Sequence, residues 1–384
     1  MKITPGYKQS DVGVIPQEWE CQRVGNLCGC IVPGRNKPKL FDGDIPWITT
    51  PDLENGKPVT TSRLGLCVSP AEAKVVGSKV VPPGSVLMSC AGELGIVALT
   101  KNEIVVNQQL HAFLPTGCID SAFLLNALAY RKDQIAGLGT KTAVPYLNKN
   151  GCNSIPIPLP PLPEQRAIAT ALGDVDALLG ALDRLITKKR DLKQAAMQQL
   201  LTGQTRLPGF HGEWEVKRVD QFAPLQRGFD LPMSQIQRGD HPVVYSNGVQ
   251  NRHAKFLVKA PGIVTGRSGT IGNVHFIEED FWPHNTALWV TDFKSNDPKF
   301  VFYFLTSIGL ERFGTGSGVP TLNRNDVHEF RVSVPPSPDE QTAIAEVLPD
   351  MDAELAALEQ RREKTNALKQ GMMQELLTGR TRLV

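Results

Sequence analysis

The chain has 384 residues, of which 41% are hydrophobic, and a formal net charge of +2. This is enough apolar material for two or three domains with real cores, which excludes a disordered tail. No apolar run approaches the ~18 residues a membrane span needs, and Met1-Lys2-Ile3-Thr4-Pro5-Gly6 lacks the apolar stretch of a signal peptide, so a cytoplasmic protein with no membrane partner is expected.

In chain order, residues 1–158 read as a β-rich α/β domain. The run Gly84-Ser85-Val86-Leu87-Met88 predicts a strand, and Phe123-Leu124-Leu125-Asn126-Ala127-Leu128 begins a helix late in the domain. Seven cysteines, at positions 21, 28, 30, 67, 90, 118 and 152, all fall in this part without a Cys-x-x-Cys pair, so they are read as scattered reduced thiols with no metal site. Residues 159–207 then predict a long helix: Ile168, Leu172, Val175, Leu179, Leu182 and Ile186 follow a 4, 3, 4, 3, 4 spacing that makes a coiled-coil stripe. Leu192, Met197, Leu200 and Leu201 extend an apolar face toward Gly203, which suits the residue just past a helix end. Residues 208–334 form a second domain of the first kind, with a strand at Gly262-Ile263-Val264-Thr265 and a helix beginning at Phe300-Val301-Phe302-Tyr303-Phe304-Leu305. Residues 335–384 predict a second long helix on Ile344, Leu348, Met351, Leu355 and Leu358, continued by Leu368, Met373, Leu376 and Leu377 to Gly379. Prolines before Glu164 and Asp339 set the expected starts, giving helices of roughly 35 to 40 residues, or about 55 Å.

The two helical segments are nearly the same text. Residues 164–207 and 340–383 align without a gap, with 25 of 44 positions identical. Each opens Glu-Gln-x-Ala-Ile-Ala after a Pro-rich lead and closes Leu-Leu-Thr-Gly-x-Thr-Arg-Leu. The repeat reaches into the domains as well. Glu18-Trp19-Glu20 returns as Glu213-Trp214-Glu215, and Val144-Pro145-Tyr146-Leu147-Asn148 as Val319-Pro320-Thr321-Leu322-Asn323. Between these anchors only fragments match: Ala91-Gly92-Glu93-Leu94-Gly95 lies over Ser268-Gly269-Thr270-Ile271-Gly272, and Asn107 falls opposite Asn285. Each half therefore keeps a frame and varies its filling. The expected architecture is α/β (α+β), with two β-rich globular domains joined by two long helices that pair as an antiparallel coiled coil in a pseudo-twofold molecule. Both tryptophans sit in the frame and are expected in the core.

Charge gives no single nucleic-acid patch. The four segments carry +3, +2, 0 and −3, so a DNA ligand requires basic residues gathered on one face or supplied by a partner. There is no phosphate loop of the Gly-x-x-x-x-Gly-Lys type, no Gly-x-Ser-x-Gly elbow, no His-Glu-x-x-His metal site, and no Asn-Pro-Pro-Tyr motif of amino-methyltransferases. Gly266-Arg267-Ser268-Gly269-Thr270-Ile271-Gly272 reads as a tight turn presenting Arg and Ser rather than as a nucleotide loop.

Two variable domains, each followed by a long helix with Pro-Pro-x-Pro-(x)-Glu-Gln at its head and Leu-Leu-Thr-Gly at its foot, resemble the DNA specificity subunit of Type I restriction-modification systems. Supporting motifs are the Gly6-Tyr7-Lys8 to Trp19 opening, Ile45-Pro46-Trp47-Ile48, and Phe281-Trp282-Pro283-His284-Asn285-Thr286-Ala287. The resemblance covers essentially the whole chain. It implies a non-catalytic subunit with two target recognition domains, each reading one half of a bipartite asymmetric sequence in double-stranded DNA, with the helices setting the spacer. It also implies two modification (methyltransferase) subunits that use S-adenosylmethionine to methylate adenine. Restriction/translocase subunits using ATP and Mg can join them, and no cofactor is bound by this chain itself. The runner-up readings are a non-DNA-binding coiled-coil scaffold or adaptor, and a nuclease or methyltransferase in its own right.

Within that reading the varied loops carry base contacts, because base edges distinguish sequences whereas phosphates set register. The candidates are Arg35, Lys37, Thr49, Thr50, Lys141 and Thr142 in the first domain, and Arg227, Ser246, Asn247, Arg267, Ser268 and Arg324 in the second. Arg267 leads, since a Gly-flanked Arg can offer both guanidinium donors to a guanine.

Overall fold

The computed structural model describes residues 5–34, 36–316 and 318–383. It divides into two units that do not follow the four sequence segments: Met1–Ala181 with Arg362–Val384, and Leu182–Arg361. Both long helices pass from one unit into the other, so each unit owns the head of one helix and the foot of the other.

In the first unit a five-stranded sheet runs in the order Cys28–Ile31, Leu110–Pro115, Val86–Ser89, Val97–Thr100, Lys57–Val59. A four-stranded sheet runs Cys67–Val68, Ile45–Ile48, Ile104–Val106, Val80–Val81. The strands Val86–Ser89 and Val97–Thr100 are buried along their whole length, which is why they read as continuous apolar runs rather than alternating ones. The helix Ser121–Tyr130 is started by Asp120, whose carboxylate accepts from the backbone N–H groups of Ala122 and Phe123. The second unit repeats the plan. Its four-stranded sheet is ordered Leu225–Arg227, Ala287–Val290, Gly262–Gly266, Val274–Ile277, beside a three-stranded sheet of Gly248–His253, His241–Tyr245 and Trp282–Pro283. The helix Pro298–Ile308 is capped by Asp297. In each unit a short frame strand, Glu20–Arg23 or Glu215–Arg218, pairs antiparallel with the strand that leads into a long helix, Pro156–Leu159 or Arg331–Val334.

The long helices span Leu162–Leu201 and Pro338–Leu376. Both begin slightly before the expected starts, because a proline in the first turn has no intrahelical N–H bond to lose. Gly203 and Gly379 follow their ends with φ of +72° and +70°. The core of the first unit holds Ile168 and Leu172 from one helix with Met373, Leu376 and Leu377 from the other. That of the second holds Ile344 and Leu348 with Leu200 and Leu201. Within the second unit the helix segments run antiparallel, pairing Lys189 with Glu354, Arg190 with Glu359 and Lys193 with Asp352. The expected apolar face is interrupted at Leu192 and Leu368, which are 47% and 59% exposed. The adjacent lysines turn inward instead: Lys193 meets Asp352, and Lys369 lies 2.8 Å from Asp176.

The repeated Glu-Gln pair explains how each helix head is seated. Glu164 is fully buried, accepts from Trp19 Nε1 at 2.9 Å and is gripped by Nε and Nη2 of Arg382. Glu340 is held in the same way by Arg206, with Trp214 Nε1 at 3.4 Å. Gln165 accepts the N–H of Asp120 and donates to the carbonyls of Cys118 and Pro160. Gln341 accepts from Asp297 and donates to Pro335 O and Asn296 Oδ1. Trp19 is fully buried and Trp214 half-buried, both against these carboxylates. The bond to Glu164 holds the pKa of Arg382 above the usual guanidinium range.

Removing one partner of a buried ion pair strands the other charge, a loss of about 3 kcal/mol. Arg206→Ala is therefore expected to lower stability by about that amount in denaturant unfolding, and Arg206→Lys to recover little of it, because an ammonium cannot make the forked contact. A second expectation concerns pH. His328 Nε2 accepts the Leu225 N–H at 2.9 Å, and burial holds the pKa values of His328, His275 and His284 below the ordinary histidine value. A neutral native histidine binds fewer protons than its unfolded counterpart, so this stability is present above pH ~6.5 and is lost as pH falls below it. Thermal midpoints should drop between pH 7.5 and 5.5, and His328→Gln should flatten that slope.

Candidate DNA-reading surface

In the second unit, three sequence candidates converge. Arg227 ends the strand Leu225–Arg227, Arg267 follows the strand Gly262–Gly266, and Arg324 opens the short helix Arg324–Glu329. All three line one cavity of about 680 Å³ together with Phe229, Asp230, Thr321 and Asn323. The backbone of Arg267 is fixed on both sides: its N–H donates to Thr286 O at 2.8 Å, and its carbonyl accepts from Leu322 N at 2.7 Å. Its Nε donates to Asn285 O at 3.1 Å. Among the described residues its two Nη groups have no partner, so the guanidinium is oriented while its forked end stays open. Asp230 balances the charge, with Arg227 Nη2 at 3.7 Å and the Asn285 amide on the same oxygen.

The turn after Arg267 is built the same way in both units. Gly92 and Gly95 have φ of +76° and +79°, and Gly269 and Gly272 +86° and +93°, so these are positions that side chains rarely tolerate. Gly92 N donates to Pro145 O and Leu147 N to Cys90 O, just as Gly269 N donates to Pro320 O and Leu322 N to Arg267 O. Cys90 therefore occupies the backbone position of Arg267. The alignment of Asn107 with Asn285 is corrected by one residue. Asn107 N donates to Ile48 O and its carbonyl accepts from Leu110, whereas it is His284 that bonds Val244 O and Ala287 N. Asn107 thus stands at the place of His284, and Gln108 at that of Asn285.

The remaining candidates fall in different places. Ser246 is buried beneath the turn, its N–H directed at Thr286 Oγ1, while Asn247 is exposed at the hairpin tip. Ser268 is bridged to Thr321. In the first unit Lys37 lies 5.4 Å over the Trp47 ring at a cavity of about 300 Å³ lined also by Asn107, Gln108 and Gln109. Thr50 Oγ1 donates to Gln109 Oε1 at 3.3 Å, and Trp47 Nε1 is buried without a partner among the described residues. Thr49 is committed to a local cap, its hydroxyl and N–H both donating to Asp52 Oδ2. Lys141 and Thr142 lie on an exposed loop and do not line this cavity, with Thr142 Oγ1 bonded to Val144 O. Arg35 lies outside the described residues. Sequence reasoning missed Phe229, Asp230, Gln108 and Gln109 as lining groups. The signals available were a Gly-flanked aromatic beside Arg227 and a run of three amides directly after a strand.

The reading of all seven cysteines as scattered is also corrected. Cys90 and Cys152 Sγ are 3.4 Å apart, and Cys152 Sγ is 3.3 Å from His111 Nδ1. Ligand spacing along the chain cannot reveal a cluster whose members arrive from three separate elements.

A Cβ at Gly266 would lie 1.7 Å from Thr270 O. Gly266→Ala is accordingly expected to cost about 2 kcal/mol through backbone displacement, read as a lowered thermal midpoint. Gly318→Ala, where a Cβ meets nothing within 4 Å, serves as the near-neutral control.

Comparison with known proteins identifies relatives of the chain and of its fold. A family model described as Type I restriction modification DNA specificity domain matches twice, over residues 16–189 and 211–370. The specificity subunit of the Type I restriction enzyme MjaIX of Methanocaldococcus jannaschii is 22% identical over 379 residues, covering 86% of each chain. That of MjaVIII, from the same organism, is 21% identical and covers 96% of this chain and 94% of the relative. The crystal structure of the Type-I restriction-modification system S subunit from M. genitalium superposes with a TM-score of 0.64 at 15% identity, over 98% of this chain and 99% of that one. A second structure, from work on complex assembly and conformational transition of the type I R-M system, gives 0.57 at 16% identity over 95% and 99%. With two family matches that together span most of its length, the chain belongs to the Type I restriction-modification DNA specificity family.

Proposed function

We propose that this chain is the DNA-reading subunit of a Type I restriction-modification complex, each of its two recognition domains contacting one half of a bipartite, asymmetric target. The observation that carries the reading is the groove of Arg227, Arg267 and Arg324, in which an oriented guanidinium keeps its forked end free. Such a group suits the O6 and N7 acceptors of guanine in the major groove. The shared turn supports it further. The same positive-φ glycines and carbonyl bonds present an arginine in one unit, whereas the other carries a buried cysteine at that position, as expected of two domains built for different half-sites. In the first unit Lys37, Thr50 and the amides of Gln108 and Gln109 are the groups proposed to face bases, with Lys141 and Thr142 on the neighbouring loop. In the second, Asn247, Ser268 and Arg324 join Arg267, while Ser246 positions the turn from beneath.

The chain itself is proposed to be non-catalytic. Two modification subunits would supply S-adenosylmethionine-dependent adenine methylation, and restriction subunits, where they join, would supply ATP- and Mg-dependent translocation. Because no segment of the chain is strongly basic, these partners would also provide much of the phosphate neutralisation that holds the duplex. The long helices, each continuous through about forty residues, are the natural spacer between half-sites.

Methylome sequencing of cells that express the chain with and without its modification partner tests the assignment. A bipartite adenine-methylated motif appearing only with both proteins is the expected result; no new motif, with the partner proven active on another specificity chain, refutes it. Within an active complex, Arg267→Ala should lose about 1–3 kcal/mol of discrimination, or roughly 5- to 150-fold, at one half-site while leaving the other unchanged. Unaltered selectivity at both half-sites would remove Arg267 from the reading surface.

A further inference from the structure

Three buried side chains in the first unit are not used by the proposed reading surface. Cys90 follows the strand Val86–Ser89, His111 lies on the strand Leu110–Pro115, and Cys152 sits in the short helix Lys149–Asn153. Their exposures are 0%, 1% and 0%. Their ligand atoms all lie within 4.8 Å of one another, with Sγ to Sγ at 3.4 Å and Sγ to Nδ1 at 3.3 Å. We infer that Cys90, His111 and Cys152 form a structural zinc site that clips the first unit's recognition turn to the helix behind it.

The geometry is close to what the ion requires. Bonds of ~2.3 Å to sulfur and ~2.0 Å to imidazole nitrogen in a tetrahedron place neighbouring ligand atoms roughly 3.5–3.8 Å apart. The Cys90–Cys152 and Cys152–His111 pairs, at 3.4 and 3.3 Å, would open by a few tenths of an ångström to admit the metal. The cluster itself comprises three ligands, and Cys30 is the nearby thiol that would have to turn in to complete a four-coordinate site. Cys30 pairs with Phe113 across the sheet, which puts it on the same face as His111, and it packs against the same core. Two or three thiolates with an imidazole form a soft donor set that favours zinc over magnesium or calcium.

The second unit provides an internal control for the claim that packing alone does not call for these residues. Sheet register places Leu110 opposite Ser89 and His111 opposite Met88; Ala287 lies opposite Gly266 and Leu288 opposite Thr265. His111 therefore corresponds to Leu288. Counting from the equivalent helix caps Asn148 and Asn323, Cys152 corresponds to Val327, and Cys90 to Arg267. Leu288 and Val327 are ordinary core residues, 1% and 0% exposed. The frame thus accepts a Leu and a Val at two places where the first unit carries a histidine and a cysteine in mutual contact.

That correspondence supplies the variant for the test. His111→Leu with Cys152→Val gives the first unit the residues its counterpart already packs. The full-length chain, purified with zinc in the medium and then dialysed, should hold about one zinc by plasma mass spectrometry. The double variant should hold none, while keeping a cooperative thermal transition. Addition of cobalt(II) to metal-free wild type should give the sulfur-to-metal charge-transfer bands of a tetrahedral thiolate site, absent from the variant. A wild-type chain that retains no more zinc than the variant overturns the inference, as does a freshly isolated chain whose Cys90 and Cys152 are joined as a disulfide and exclude metal. Should the variant fail to fold, the cobalt spectrum of wild type decides alone, and an octahedral spectrum without thiolate bands counts against the site.

Discussion

Each unit depends on a carboxylate buried at the head of a long helix and held by an arginine that follows the foot of the other helix. Glu164 with Arg382 and Glu340 with Arg206 are the same contact made twice. A buried carboxylate without its guanidinium is too costly to keep, so the pairing links the folding of each unit to two stretches of chain far apart in sequence. The tryptophan indoles cover the carboxylates, and the glutamines beside them anchor the helix heads to the loops that cap Ser121–Tyr130 and Pro298–Ile308. This network accounts for the parts of the repeat that barely vary: Glu-Trp-Glu at the start, Glu-Gln at the head, Thr-Gly-x-Thr-Arg-Leu at the foot. Within it the tryptophans, the helix-head Glu and Gln and the arginines each hold a polar partner, so replacing one of these leaves another polar group unsatisfied.

On this frame the recognition turn can be rigid in backbone and free in chemistry. The glycines at +76° to +93° and the carbonyl bonds to the Val-Pro loops fix where the turn goes. What it presents is then a matter of one or two side chains, an arginine with an open fork in one unit and a cysteine drawn into the interior in the other. Preorganising the donor in this way reduces the entropy lost on contact, which suits the discriminating role proposed for it. Weak overall charge is consistent with the same division of labour, since affinity for phosphates can come from elsewhere in a complex.

Much of this was legible in one dimension because it rests on local rules. Heptad spacing with proline and glycine boundaries located both long helices to within a few residues. The gapless repeat discloses the two-part organisation, and the glycine beside Arg267 marks it as an arginine on a tight turn. Local rules failed where a side chain answers to a distant partner. Leu192 and Leu368 belong to an apolar stripe by spacing, yet the inward ion pairs of Lys193 and Lys369 leave them exposed. Asn107 was placed one residue out of register because hydrogen bonds to a neighbouring strand, not residue identity, define the equivalence.

The sequence by itself determined the duplication, the helix lengths, the kept frame and the family resemblance, since each is encoded in contiguous residues whose spacing carries a direct physical meaning. Only the tertiary structure decided which units those segments build, which arginines share a groove, and that Cys90, His111 and Cys152 meet. Those outcomes follow from sheet register and from the return of a helix foot to another helix's head, which bring together groups separated by tens to hundreds of residues.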